Sequence, residues 1–239
     1  MSEHKGIWVI AETDSNNKII GVTLELINAA KELSSQLGGE EVGTLLMTGN
    51  ENIEDSIRTI SEAGSDKIYL IKDASLGQYS TELYTDAVSQ AIEQKKPSII
   101  LVGATTTGRD FAPRVAARLR TGLTADCTSL NINEQGLFAA TRPTFGGNLM
   151  ATILCKVTRP QMATIRPKVL PKPEMNSTNN AEVEQINVNL DISRIKTKLL
   201  ECTGVCQNNV QKIEEADIII AGGRGMKSAE GFKILEDLA

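Results

Sequence analysis

The sequence predicts an α/β protein: a mostly parallel sheet with flanking helices, an appended antiparallel β segment, and then the first βα unit of a second α/β domain. Three observations carry this. Short apolar runs rich in β-branched residues alternate with stretches of helical period from Gly6 to Leu119, the pattern of βαβ units with right-handed crossovers. The segment from Thr128 to Pro167 keeps a short period and has no helical stripe. Beyond a Pro- and Asn-rich stretch the strand–turn–helix grammar restarts near the C-terminus.

In chain order, Gly6 to Ile10 reads as a strand; Leu26, Ile27, Ala30, Leu33 and Leu37 carry helical spacing to a stop at Gly38; and Val42 to Met47 is a second strand. Ile53, Ile57 and Ile60 mark a helix ending at Gly64, Lys67 to Ile71 a third strand, and Leu83 to Ile92 a further helix before Pro97. The stretch Pro97 to Asp126 organises the rest. Ser98 to Val102 is a continuous apolar run of the kind buried on both faces of a parallel sheet. Gly103 ends it, and Phe111, Val115 and Leu119 then recur at helical spacing. Asp110 is the expected N-cap of that helix, Pro113 falls in its first turn, and Gly122 is the expected left-handed stop.

Between Thr128 and Pro167 the motif Thr141-Arg142-Pro143 leading to Met150-Ala151-Thr152-Ile153 is echoed by Thr158-Arg159-Pro160 leading to Met162-Ala163-Thr164-Ile165. Both read as antiparallel strands appended to the parallel sheet, with Phe145-Gly146-Gly147-Asn148 as a hairpin turn. Arg142, Arg159 and Arg166 mark either a partner-facing surface or solvated strand ends. Pro167, Pro171, Pro173 and Asn176 to Asn180 form the clearest boundary. The expected division is a scaffold domain over 1–170, a linker over 171–182, and the start of a further domain over 183–239. In the last part Val183 to Leu190 alternates like a strand and Ile192 to Leu200 fits strand or helix. Asp217 to Ala221 is a strand, and Ser228 to Leu238 a helix.

Composition narrows the function classes. With 41% hydrophobic and 23% charged residues the 239-residue chain is an ordinary globular sequence. A net charge of −5 and 3% aromatic residues argue against nucleic-acid binding, which favours a basic surface and base-stacking platforms. No run approaches the ~18 apolar residues of a membrane span, and no apolar leader follows Met1, so a cytoplasmic location is expected. His4 is the single histidine, which leaves a Ser-His or Cys-His mechanism without its base. Cys127 and Cys155 lie in strand-like segments as packing residues. Cys202 and Cys206 are spaced C-x-x-x-C with no second pair to complete a zinc site. No catalytic residue and no metal ligand is expected.

Two glycine turns stand between a strand and a helix. Gly103 to Asp110 is a near miss to a phosphate-binding P-loop. Arg109 replaces the lysine, and Asp110 stands where a hydroxyl would hold magnesium. It is either a structural loop or a phosphate site built on Arg109. Gly222-Gly223-Arg224-Gly225 lacks the last glycine of a dinucleotide fingerprint, Ser228 standing there. Its glycines would still let backbone N–H groups approach a pyrophosphate at a helix N-terminus, and Arg224 adds a planar donor fork.

The run GATTTGRDFAPRVAARLRTGLTADC from Gly103 to Cys127, Arg142 to Asn148, and ADIIIAGGRGMKSAEGFKIL from Ala216 to Leu235 resemble the electron-transfer flavoprotein alpha subunit across nearly the whole chain. The resemblance implies an electron carrier rather than an enzyme. It would work through FAD, pair with a beta subunit, and pass electrons between acyl-CoA dehydrogenase-type partners and another redox protein. It also implies that Arg224 contacts FAD, with Gly223 and Ser228 beside it, and that the FAD domain extends beyond the βα unit ending at Ala239. The FAD site in these residues is then incomplete, and 217–239 is expected to be poorly ordered without a covering partner. Two other readings of the residues remain: a nucleotide-binding module using Gly103 to Arg109, and a purely structural interaction domain.

Overall fold

The computed structural model describes residues 3–49, 52–197, 200–201, 216 and 218–239. The chain forms two compact units, Met1–Lys198 and Leu199–Ala239.

The first unit opens with β1 (Ile7–Ile10), α1 (Gly21–Gln36), β2 (Val42–Thr48), α2 (Glu54–Glu62), β3 (Lys67–Lys72), α3 (Thr81–Lys95), β4 (Ile99–Gly103) and α4 (Thr106–Arg118). The chain winds outward from β1 through β2 to β3, then crosses back to place β4 on the other side of β1. All pairs among these strands are parallel. Alternation along β1 feeds two cores. Ile7 and Val9 pack with Leu26, Ala30 and Ile60 from the α1 and α2 side, whereas Trp8 and Ile10 pack with Leu83, Val88 and Phe111 from the α3 and α4 side. Every β1, β2 and β4 residue is buried, which is why these strands read as unbroken apolar runs rather than alternating ones.

After α4 come β5 (Leu123–Cys127), β6 (Ser129–Ile132), β7 (Phe138–Thr144), β8 (Leu149–Leu154), β9 (Gln161–Ile165) and β10 (Glu182–Gln185). β6, β7 and β8 form a separate antiparallel sheet, its β7–β8 hairpin turning through Phe145–Gly147 as expected. The second echo segment departs from expectation. β9 is not antiparallel; it returns to the main sheet and inserts between β4 and β5, parallel to both, so that the order is β10-β3-β2-β1-β4-β9-β5. All five β9 residues are buried, a burial that only a place between two strands supplies. The residues from Pro167 to Asn180 run as irregular chain. Glu182–Gln185 then pairs parallel with β3 at the sheet edge. Ile192–Arg194 is a 3-10 turn.

Three details around α4 also correct the sequence reading. Thr105, not Asp110, caps the helix, its hydroxyl oxygen accepting the Gly108 N–H at 2.9 Å. Asp110 lies inside the helix, as does Pro113. The left-handed residue after the helix is Arg120 (φ 53°), whereas Gly122 has no positive φ.

In the second unit a 3-10 turn at Arg224–Met226 leads to α5 (Ala229–Leu238). The expected strand is not formed at Ile218 to Ala221, which is irregular, with Ile218 84% exposed. A parallel strand needs a neighbour to satisfy its backbone, and among the described residues of this unit there is none. Asp217, Cys202 and Cys206 lie outside the described residues.

Candidate functional site

Two places bring chemistry-bearing residues together: the carboxyl ends of the central strands in the first unit, and the glycine turn before α5 in the second.

The order β2-β1-β4 makes β1/β4 the topological switch point of the sheet, where open α/β folds leave a crevice. Glu12 follows β1 here and spans the gap: its Oε2 accepts the Thr105 hydroxyl at 2.7 Å. Gly103 makes room for it, since a Cβ there would lie 2.8 Å from Glu12 Oε1. That Oε1 is buried without a hydrogen-bond partner. Desolvation pushes the Glu12 carboxyl up to about 7, against the opposing pull of the Thr105 hydrogen bond. The crevice holds a cavity of about 270 Å³ bordered by Glu12, Asp14, Tyr79, Tyr84, Thr107 and Phe111.

The Gly103 to Arg109 segment does not form the phosphate cradle weighed above. The loop between β4 and α4 is only Ala104 and Thr105. A Cβ on Gly108 would lie 1.9 Å from Gly103 O, so the glycines serve helix-on-strand packing. Gly108 N–H is held by the Thr105 side chain and Arg109 N–H by the Thr105 carbonyl. Arg109 is spent as well. Its Nε donates to Ala104 O and its Nη2 to Asp126 Oδ1, each at 2.8 Å. Arg166 donates to both Asp126 oxygens, at 3.3 and 2.5 Å. That hydrogen bond from Arg166, with the charges of Arg166, Arg109 and Arg142, holds Asp126 below the usual carboxylate range. Asp126 itself sits at positive φ (63°) where the β5–β9 register breaks, which turns its side chain to the two arginines. Arg159 caps its own loop through Cys155 O and Thr158 O.

Gly223, Arg224 and Ser228 fall within one turn ahead of α5, all three exposed. Among the described residues no hydrogen bond or ion pair engages the Arg224 guanidinium. The glycines there divide in two. A Cβ on Gly222 would lie 2.4 Å from Leu235 Cδ1, so packing against α5 requires that glycine. Gly223 and Gly225 meet nothing within 4 Å and need no positive φ. Backbone left bare beside a free guanidinium at a helix N-terminus suits the phosphate part of a nucleotide cofactor. Among the described residues of this unit it has no wall for a flavin ring.

A family model described as "Electron transfer flavoprotein domain" matches residues 7–191. The electron transfer flavoprotein subunit alpha of Thermoanaerobacterium thermosaccharolyticum is 43% identical over 239 residues, covering 100% of this chain and 71% of that protein. The chain belongs to the electron-transfer flavoprotein alpha-subunit family. Protein FixB of Clostridium saccharobutylicum is 42% identical and the alpha subunit of Megasphaera elsdenii 41%, each over 100% of this chain and 70% of the relative. Membership of this flavoprotein family implies a flavin cofactor, a beta subunit as partner, and electron transfer rather than catalysis on a substrate of its own. The family match runs through β10, so the edge strand belongs with the matched region.

No helix among the described residues is long and apolar enough to cross a membrane. Among the same residues no group of three or more His, Cys, Asp or Glu side chains is placed to hold a metal ion. Sequence reasoning missed Glu12 and the Asp126 pairings. Glu12 carried one usable signal, a carboxylate just past the first strand, after Ala11; Asp126 carried none, because its partners lie 17 and 40 residues away.

Proposed function

We propose that this chain is the alpha side of a cytoplasmic electron carrier whose flavin is FAD. It pairs with a beta subunit and exchanges electrons with an acyl-CoA dehydrogenase-type partner and a second redox protein. The observation that carries the reading is similarity over the whole chain to proteins named electron transfer flavoprotein subunit alpha. FAD supplies the redox chemistry, and this chain holds it in place. Residues 1–170 act as scaffold, 171–182 as the link, and the sequence from 183 onward leads into the FAD-binding part. Arg224 pairs with the FAD pyrophosphate, Gly223 lets it approach the backbone, and Ser228 contributes at the start of α5. The free guanidinium and the two open glycines support these roles.

The β8 arm is the docking surface for the beta subunit. β8 is an edge strand, and Phe145 (81% exposed), Leu149, Met150 (57%) and Ile153 stand out along it and its turn. Exposed apolar residues on an unpaired edge mark a protein contact.

The test is a visible absorption spectrum of the chain purified with its beta subunit and supplied with FAD. Flavin bands that survive desalting are expected, and Arg224→Ala should weaken retention about tenfold or more, as loss of a charge-assisted hydrogen bond does. A colourless complex, or retention indifferent to Arg224→Ala, overturns the assignment of these residues.

A further inference from the structure

The switch-point crevice is not used by the flavin reading, yet it is a built site. Its charge is one-sided. Glu12 and Asp14 border the cavity, and among the described residues lining it there is no Lys, Arg or His. The opposite wall is aromatic, with Tyr79 and Tyr84 edge to face at 4.8 Å and Tyr84 and Phe111 at 6.4 Å. Ile10, Met47 and Leu76 add an apolar side. Aromatic faces and carboxylates both attract cations, the more so out of bulk water.

An anion fits poorly. The helix dipole of α4 would favour one, but Thr105 already caps Gly108 N–H, and two acids border the same space. A metal ion fits poorly too, because hard cations need six or more oxygens, whereas among the described residues the lining offers only two carboxylates, and Glu12 Oε2 and Asp14 Oδ1 already accept hydrogen bonds. We propose that this crevice binds a small organic cation, a primary ammonium group on a short aliphatic chain. Its charge is met by Glu12 and the aromatic wall, and its chain lies against Ile10, Met47 and Leu76.

The groups around Glu12 are few. Thr105 donates to it from the start of α4, Tyr84 of α3 borders the same cavity, and Thr23 of α1 binds its backbone. Asp14 shares its loop and accepts the Asn16 and Lys18 N–H groups. Arg109 is turned away to Ala104 and Asp126. Glu12, half-protonated near pH 7 when the crevice is empty, gives up its proton when the ammonium group binds, so the affinity depends on pH.

The experiment is calorimetric titration of the full chain with n-butylammonium chloride, with the Glu12 carboxyl followed by carbon-13 NMR. Saturable binding is expected, strengthening about tenfold from about pH 6 to about pH 8 and then levelling off. The Glu12 midpoint should fall from about 7 towards the ordinary carboxylate range when the amine is present. Glu12→Gln keeps the Thr105 hydrogen bond and should lose the pH dependence along with most of the affinity. If that variant fails to fold, the NMR titration of the unaltered chain still decides. No saturable binding at millimolar amine, or a Glu12 midpoint that the amine does not move, overturns the proposal. So does preferential binding of an uncharged ligand such as adenosine with no pH dependence.

Discussion

Glu12 shows how one buried atom sets a pH dependence. Its folded-state value is raised, so its contribution to stability is complete below the unfolded value near 4.5 and is lost as pH rises through about 7. Relative to Glu12→Gln, the unaltered chain should therefore lose at most about 3 kcal/mol between those limits and nothing further above them. Urea unfolding of both proteins at a series of pH values checks this; parallel curves would contradict it. Cysteine chemistry divides in the same way. Burial pushes the Cys127 thiol up to about 12, which suits the packing role expected for it. At Cys155, which is only partly buried, the upward push of burial is outweighed by hydrogen bonds led by Thr158, and the thiol is lowered. Iodoacetamide followed by peptide mapping should find Cys155 modified well before Cys127 in the native protein.

At the scale of elements, α4 is held from both ends. Its N-terminus rests on β4 through Gly108, where a methyl group would meet Gly103 O at 1.9 Å. Gly108→Ala should cost on the order of 3 kcal/mol despite alanine's better helix propensity, read as a lower urea midpoint. At the other end Arg118 of α4 pairs with Asp86 of α3, and Arg194 from the turn at Ile192–Arg194 joins the same carboxylate at 3.5 Å. The Asp86 side chain is only 6% exposed. Arg118→Met should then cost about 2–3 kcal/mol by leaving a buried charge with one distant partner, and adding Asp86→Asn should restore part of the loss. A double-variant loss equal to the sum of the Arg118→Met and Asp86→Asn losses would show that the pair is not coupled.

For the whole molecule, the separation of scaffold from docking surface has a direct test. Phe145→Ser with Met150→Ser removes exposed apolar area outside the core, so stability should stay within about 0.5 kcal/mol while association with the beta subunit weakens. Co-purification together with urea unfolding distinguishes this from simple misfolding. The elements β1 to α4 were legible in the chain because period and burial are local: Ile7 to Ile10 or Phe111, Val115 and Leu119 declare their faces within a few residues. The glycine turn with Arg224 was legible for the same reason, as a short motif against a helix start. Three matters were decided only by the tertiary structure. β9 sits between β4 and β5 because the hydrogen bonds and burial that fix it come from strands far away in sequence, while its own residues would suit either sheet. Arg109 became a packing and ion-pair residue because Asp126 and Ala104 O reach it first. Glu12 became a half-buried acid with one buried oxygen because the crossover from β3 to β4 sets Gly103 and Thr105 over the end of β1. Sequence by itself determined which segments from β1 to α4 are strands and helices, through side-chain period. Partner choice among strands, and the ionisation of the groups between them, depends on contacts between distant residues that no local pattern records.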